Sequence, residues 1–548
     1  MKKLVSILLV VAMMLTLLSG CGESNTNKTT EAPEGTTSAP KPSDGQTEEP
    51  TTEAPAVEIT YPLEGNKKLT IGIAPNSNVT AVCSGHAETA IMKEWAKLTG
   101  VEIEIIEAAD MNLLIAEEKL PDIIFGWNAN TKYPGGWNAM IEDKVCQPIT
   151  DYYEEFAPDF AKVFAENPEK DDAFVNGELY GFPYLIESDF LTVSSGMIIR
   201  QDWLDDLGMK APTNHEELYT VLKAFKEKKG AEYPLSMSTS QLNNNMLAAG
   251  MMASSFGFAK SDYWVKDGVV QPAYMGEEYK AAVTFFNKLY NEGLLDPNCA
   301  ALKSADQISN FLNGKTGLIF GAVGSTLGTL LDGIEEGSGI KVAGIAPFKT
   351  PDGKPAMCTQ YTGRIQLQGA FITTSCKDIE TAVKFLNFGY TEAGNLLFNF
   401  GVENESYKLV DGVPNYTDKV KKNPDMTLTQ AMHYYTKALA GGPFMQAEMY
   451  MRQYNNKPGQ AEALEAWSQA TSKDYRLPAV VKTTEQNTEY TNIMQDIWTY
   501  TAESFTKFVT GAMSLDQWDA YEKQCTEFGI LRATEINQEC YDAQYKNK

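Results

Sequence analysis

Two loops rich in amide side chains follow apolar runs. Asn76-Ser77-Asn78 comes after Leu69–Ala74, and Trp127-Asn128-Ala129-Asn130 comes after Asp122–Gly126. Amides offer paired donors and acceptors and an indole offers a flat apolar face, so these residues suit non-covalent recognition of a polar ligand. Residues fit for covalent or metal chemistry are thinly spread. His215-Glu216-Glu217-Leu218-Tyr219 comes near to H-E-x-x-H, but Tyr219 stands where the second metal ligand belongs. Thr213 with Glu216 reads better as a helix capping box. Gly321-Ala322-Val323-Gly324 lacks the G-x-G-x-x-G spacing, and neither a phosphate-binding loop nor a G-x-S-x-G elbow occurs. Carboxylate pairs for glycoside hydrolysis have no distinctive spacing among 72 acids. With three histidines (His86, His215, His433) and no C-x-x-C, neither a metal nor a cofactor is expected.

The elements that must position those loops alternate. Leu69–Ala74, Val101–Ile106 and Asp122–Gly126 read as strands, the last short and apolar as in a buried parallel sheet. His86–Leu98 reads as a helix with Ile91, Trp95 and Leu98 on one face. An open α/β sheet follows, with its ligand at the carboxyl ends of the strands. A second α/β set opens at Met197–Arg200, and the helix begun by Pro212-Thr213 buries Leu218, Val221, Leu222 and Phe225. Glu277–Asn291 repeats the pattern with Tyr279, Ala282, Val283, Phe286 and Leu289. Gly317–Gly321, Val342–Pro347 and Gln366–Ile372 are further strands, and Glu380–Phe388 is a helix. Beyond Thr484 the chain reads as mostly helical, with Ile493, Ile497, Thr501, Phe505 and Phe508 at helical spacing. Trp95, Trp203, Trp498 and Trp518 lie in helical stretches and are assigned to the core; Trp264 is left unassigned.

Composition bounds the class. The 548 residues are 43% hydrophobic and 11% aromatic, enough for a large core and, by length, about three domains or two large lobes. The formal charge is −26, with 46 Lys+Arg against 72 Asp+Glu. Phosphate recognition needs clustered cations, and only five arginines exist (Arg200, Arg364, Arg452, Arg476, Arg532), so no nucleic-acid partner is expected.

Met1-Lys2-Lys3, the apolar run Leu4–Leu18 and Leu18-Ser19-Gly20-Cys21 form a bacterial lipoprotein leader. Residues 1–20 are then removed, and Cys21 carries the lipid that holds the chain on the outer face of the cell membrane. Gly22–Ala56 contains no aromatic residue and no Val, Ile, Leu or Met, and Thr-Thr-Glu-Ala-Pro recurs at 29–33 and 51–55. Residues 21–65 therefore read as a disordered tether. No other apolar run is long enough to span a bilayer. Seven cysteines remain, an odd number, and scattered buried thiols are expected; a Cys358–Cys376 or a Cys525–Cys540 bridge stays open.

Several segments, in order, resemble the extracellular solute-binding proteins of carbohydrate ABC importers, in particular their large lipoprotein branch. They are Leu120–Ile124, the Asn-Gly-Glu-Leu-Tyr-Gly-Phe-Pro run within Val175–Tyr184, Ile199–Gly208 with the following Ala-Pro-Thr-Asn-His-Glu-Glu-Leu, Phe311–Gly317, Phe505–Gly511 and Trp518–Tyr521. The resemblance spans about residues 66–545. It implies an α/β, two-lobed, type II periplasmic-binding-protein-like fold, with the ligand cleft between lobes and extra C-terminal helices. Lobe 1 would take 66–190 with about 366–400, and lobe 2 would take 191–365 with about 401–548. Crossovers would lie near Glu187–Ser195, Met357–Gln368 and Asn399–Tyr407. It also implies a monomer that binds an oligosaccharide and delivers it to ABC transporter permease subunits. One departure stands out. Where many members of the branch carry an Asp/Asn-rich calcium loop, this chain has Lys223–Leu235, in which Lys226, Lys228 and Lys229 would repel a cation.

Sugar rings present apolar C–H faces and hydroxyl-dense edges, so aromatic platforms beside amides, carboxylates or arginine suit them. Trp127 and Asn128 are the first candidates, then Trp137 in its Gly-Gly-Trp-Asn loop. Tyr184, Glu187 and Asp189 would stand at the first crossover, and Tyr361 and Arg364 at the return. Arg364 either meets the ligand or bridges the lobes. Asn76 and Ser325 complete the set. The competing class is a surface lipoprotein hydrolase or lyase acting on polysaccharide; a peptide receptor is the alternative within the binding class.

Overall fold

The computed structural model describes residues 58–175, 177–247, 251–259, 261–357, 362–469, 475–478 and 480–546. Cys21, residues 21–57 of the expected tether, Cys358 and Tyr361 lie outside them; residues 58–65, expected with the tether, pack on the folded part, the Tyr61 hydroxyl donating to the Lys384 carbonyl at 2.5 Å and the Leu63 N–H to the Thr99 carbonyl at 2.8 Å. Two sheets organise the chain. The larger runs Met445–Gln446, Phe182–Ile186, Ile365–Ile372, Ile123–Phe125, Lys67–Ile73, Val101–Glu107. Its first three chain segments are parallel: Ile71 faces Ile105 on one side and Ile123 on the other. Ile365–Ile372 then enters antiparallel, Phe371 opposite Ile124. Ile123–Phe125 is central and wholly buried, which is why its sequence is a plain apolar run. Val101–Glu107 is the edge, where exposed glutamates alternate with partly covered isoleucines and discourage further pairing.

The smaller sheet places Ser195–Arg200 between Leu318–Ala322 and Val342–Ile345, antiparallel to both. All six residues of the middle strand are buried. Trp467, fully buried, lies across this sheet and donates from its indole N–H to the Met197 carbonyl at 3.0 Å. Its ring comes so close to the strand that a Cβ on Gly196 would sit 2.4 Å from a ring carbon.

The chain passes between the sheets three times. The first passage runs from Glu187 to Ser194 and the second from residue 346 to residue 364; the crossovers were expected at Glu187–Ser195 and Met357–Gln368, and Ile365–Gln368 belong to the strand Ile365–Ile372. Residues 401–446, expected with the second lobe, pack with the larger sheet. The Tyr416 hydroxyl donates to the Asn399 carbonyl at 2.6 Å, and Met445–Gln446 pairs parallel to Leu185–Ile186. The third passage therefore follows Gln446, through the helices Glu448–Tyr454 and Gln460–Trp467, rather than lying near Asn399–Tyr407.

Several local expectations shift. The helix His215–Lys229 is capped by Asn214, whose side chain accepts from the Glu217 N–H at 2.9 Å. Glu217, not Glu216, reaches back to Thr213, so the capping pattern sits one residue later than the Thr213–Glu216 box. The C-terminal helices Thr484–Thr510, Trp518–Phe528 and Ile530–Tyr545 form as expected, with Phe505 against Tyr279 and Phe286 of Glu277–Asn291. Trp95, Trp203 and Trp518 are core, but Trp498 is 42% exposed. It follows Ile497 by one residue, about 100° round the helix from the buried Ile497–Thr501–Phe505 stripe. Cys376, Cys525 and Cys540 are free thiols, so the Cys525–Cys540 bridge does not form and Cys376 is unbridged.

Candidate ligand cleft

Beyond the carboxyl end of Ile123–Phe125 the chain turns at Gly126 (φ 66°), and Asn128 takes the N-cap position of the short helix Ala129–Lys132. Asn128 lines a cavity of about 290 Å³ with Glu169, Asp172, the segment around Thr362–Leu367, Arg476 and Leu477. The cleft is thus built from a strand-end loop, the turn at Lys170–Ala173, the return passage and the stretch leading to the C-terminal helices. A second cavity of about 670 Å³ shares Asp172. Its wall includes Asp171, Val481, Thr483, Gln486, Glu539 and Tyr545.

The charges of this region are tied to one another. Glu169, 8% exposed, accepts the Arg364 N–H at 2.7 Å. The Arg476 guanidinium lies 3.5 Å from Asp172, which also accepts from the Tyr545 hydroxyl at 2.9 Å. Burial raises the Asp172 carboxyl above its ordinary range, against the lowering by Tyr545 and Arg476, and neighbouring Glu169 and Asp171 push the same way. A perturbed carboxylate in a cleft marks a functional-site candidate.

The named candidates fall into three places. Asn128 is in the cleft. Trp127 and Trp137, 4% and 6% exposed, line neither cavity and lie in a cluster with Phe371, against which Leu367 of the cleft wall and Val481 of the second cavity also pack. The remaining described candidates stand elsewhere. Tyr184 is buried and donates to the Ala438 carbonyl at 3.1 Å, its ring against Phe444. Arg364 places Nε and Nη2 on Asp189 at 3.1 and 3.0 Å and Nη1 on the Glu187 carbonyl at 3.0 Å. That is the bridging role left open for it, pinning the return passage to the first. Glu187 also accepts from the Glu448 N–H, which joins the third passage to the same knot. Asn76 caps a short helix by accepting from the Asn78 N–H at 2.9 Å, and Ser325 is exposed on a turn of helix beyond the smaller sheet. Tyr361 lies outside the described residues.

Sequence reasoning missed Glu169, Asp172, Gln366 and Arg476. Arg476 carried a usable signal, being one of five arginines in so acidic a chain. Glu169 and Asp172 had none, since 72 acids hide them.

Within Lys223–Leu235, Lys226 lies in the helix His215–Lys229 and donates to the carbonyls of Glu292 and Gly293 at 2.8 Å each. Tyr219, the residue that spoils the H-E-x-x-H pattern, hydrogen-bonds Glu292. Among the described residues no group of three or more His, Cys, Asp or Glu is placed to hold a metal.

Comparison with known proteins adds the following. The model of the family described as bacterial extracellular solute-binding protein matches residues 85–396. The fructooligosaccharide ABC transporter substrate-binding protein FusA of Streptococcus pneumoniae is 22% identical over 521 residues, 89% of this chain and 93% of that one. Lipoprotein LipO of Bacillus subtilis is 27% identical over 349 residues; the match spans 61% of this chain and 66% of LipO, just under two thirds of it. Among solved structures, an HMO-binding, ABC-transporter-associated solute-binding protein from Bifidobacterium longum infantis superposes with TM-score 0.68 at 20% identity, covering 87% of this chain and 99% of that one. The shared fold is the two-lobed type II periplasmic-binding-protein-like fold.

Proposed function

The chain belongs to the bacterial extracellular solute-binding proteins, and from that premise we propose that it captures an oligosaccharide and delivers it to the permease subunits of an ABC importer. The observation that carries the reading is the cleft itself: Asn128, Glu169, Asp172, Gln366 and Arg476 converge from four separate segments on one cavity beside a strand end. Amide and carboxylate groups there suit hydroxyl edges, and Leu367 and Leu477 supply apolar contact. Trp127 and Trp137, buried in their own cluster, do not form the platform in this reading. FusA is named for fructooligosaccharides, which supports a glycan as the ligand class.

The lipoprotein leader and the name of LipO support a lipid anchor on Cys21 and a place on the outer face of the cell membrane. The protein acts as a monomer in this reading, and it does no chemistry on its ligand. Closure of the lobes on the sugar would present a closed form to the permease. The test is incubation of stoichiometric protein with oligosaccharide. A receptor retains the sugar and returns it unchanged; shortened products would establish an enzyme instead.

A further inference from the structure

The C-terminal helices belong to the lobe of the smaller sheet yet touch the other lobe. The Val270 N–H donates to Gln538 at 2.7 Å, the Tyr521 hydroxyl donates to the Tyr274 carbonyl at 2.9 Å, and Phe505 packs on Glu277–Asn291. That helix leads to Leu294, whose carbonyl accepts from Leu235, the residue that bridges Leu318 of the smaller sheet. From this base the helices reach two segments that pack with the larger sheet. The first is the helix Gly136–Glu142, held there by Trp137 against Phe371. Asn487 donates to the Gly135 carbonyl at 3.0 Å, the Thr484 hydroxyl to Glu142, and Asn138 to the Lys482 carbonyl. The second is the turn Lys170–Ala173, where Asp172 accepts from the Tyr545 hydroxyl at 2.9 Å. Phe174 ties that turn through Phe164 and Phe160 to Phe182 of the larger sheet. Arg476, whose backbone bridges Trp264 beside the same helices, adds a looser contact to Asp172 at 3.5 Å.

We infer that these contacts are a latch between the lobes, made on closing and broken on opening, with Asn487 and Tyr545 as its positioning residues. A permanent contact between lobes would be filled at interior density. Here the turn and the helices face each other across the cavity of about 670 Å³, with Asp171, Asp172 and Phe174 on one wall and Glu539, Gln544 and Tyr545 on the other. The hydrogen bonds beside that gap are single ones from amides and hydroxyls. At the passages, by contrast, Arg364 grips Asp189 with two guanidinium nitrogens and the Glu187 carbonyl with a third. The lobes therefore part at the C-terminal helices while the knot at the passages holds. Neither Asn487 nor Tyr545 lines the cleft around Asn128, so their effect on ligand affinity runs through closure. That consequence rests on the proposed function; the latch itself does not.

The experiment uses the mature chain with no sugar present, so its outcome is independent of the glycan reading. Nitroxide labels carried on p-acetylphenylalanine replace Lys132 and Thr488, exposed residues on either side of the contact, and double electron–electron resonance reads their separation. The wild type is expected to show a dominant short distance. Asn487→Asp turns the donor into an acceptor facing the Gly135 carbonyl, and Tyr545→Phe deletes the hydroxyl. Each is expected to raise the ratio of longer to short distances about fivefold, and the pair together about twenty-fivefold. Thr484→Ala, which removes the bond to Glu142, is a further single variant with the same expected direction. The melting midpoint should stay where it is, because each lobe keeps its core. Distances unchanged in every variant overturn the latch. A lowered midpoint with unchanged distances also overturns it, since the contact would then support the fold without moving.

Discussion

Lys437 is 2% exposed and its ammonium meets the ring nitrogen Nδ1 of His86 at 3.3 Å, with the Phe125 ring 5.5 Å away. Burial lowers its pKa from 10.5 to about 8, with Glu107 acting weakly in the other direction. Holding that charge at neutral pH therefore costs about 3 kcal/mol relative to the unfolded chain. Lys437→Met keeps the length and removes the charge. Allowing about 1 kcal/mol for the lost hydrogen bond, the variant should be more stable by roughly 2 kcal/mol at pH 7. The sign with pH follows from the depressed pKa of a base. Below about 8 the lysine is charged in both states and the full cost is present; between about 8 and 10.5 the folded chain binds fewer protons than the unfolded one, so the wild type gains stability and the gap closes. Urea unfolding of both chains at half-unit steps from pH 7 to 10.5 reads this directly. A variant less stable at pH 7, or an advantage that stays constant across the range, would refute the reasoning.

Three further outcomes follow from the same structure. Burial and the nearby Lys437 ammonium lower the His86 pKa from 6.5 to about 3, so the folded state resists a proton the unfolded state takes; stability should fall as pH drops below 6.5, by up to about 1.4 kcal/mol per pH unit, and His86→Asn should flatten that limb of a urea–pH series. Gly196→Ala would drive a methyl into the Trp467 ring and should cost about 1–3 kcal/mol by urea unfolding, whereas Gly208→Ala, in a left-handed helix cap with nothing within 4 Å, tests backbone strain alone and should cost less. With Lys226 seated on the carbonyls of Glu292 and Gly293, millimolar calcium or a chelator should leave the melting midpoint unchanged; a calcium-dependent rise would contradict that assignment.

Strands with strong patterns were readable: Lys67–Ile73, Val101–Glu107 and Ile123–Phe125 fall within a residue or two of their apolar runs, and Glu277–Asn291 matches its helical stripe. Local pattern does not encode partner or direction, so the antiparallel entry of Ile365–Ile372 beside Ile123–Phe125 had no local signal. The return of residues 401–446 to the larger sheet was hidden for the same reason. It depends on contacts such as Tyr416 to Asn399 and Met445 to Leu185, the latter made by a two-residue strand too short to show a period. In the cleft, Asn128 was found because a strand end points to it. Trp127 was singled out for its indole, yet an indole serves a core as well as a sugar, and a sequence does not say which side of a loop faces inward. Asp189 was singled out at the first crossover and Arg364, separately, at the return, and the structure joins them through side-chain bonds that no spacing announced.

The central claim is that this cleft binds a glycan without changing it. The most direct measurement is a thermal-shift titration of the mature chain with neutral oligosaccharides, followed by chromatography of the recovered sugar. The account predicts a midpoint that rises with one series, reflecting about 2.7 kcal/mol at a hundredfold excess over Kd, with the sugar recovered intact and the shift reduced in Arg476→Ala. No shift with any glycan, or recovery of shortened sugar, would contradict it.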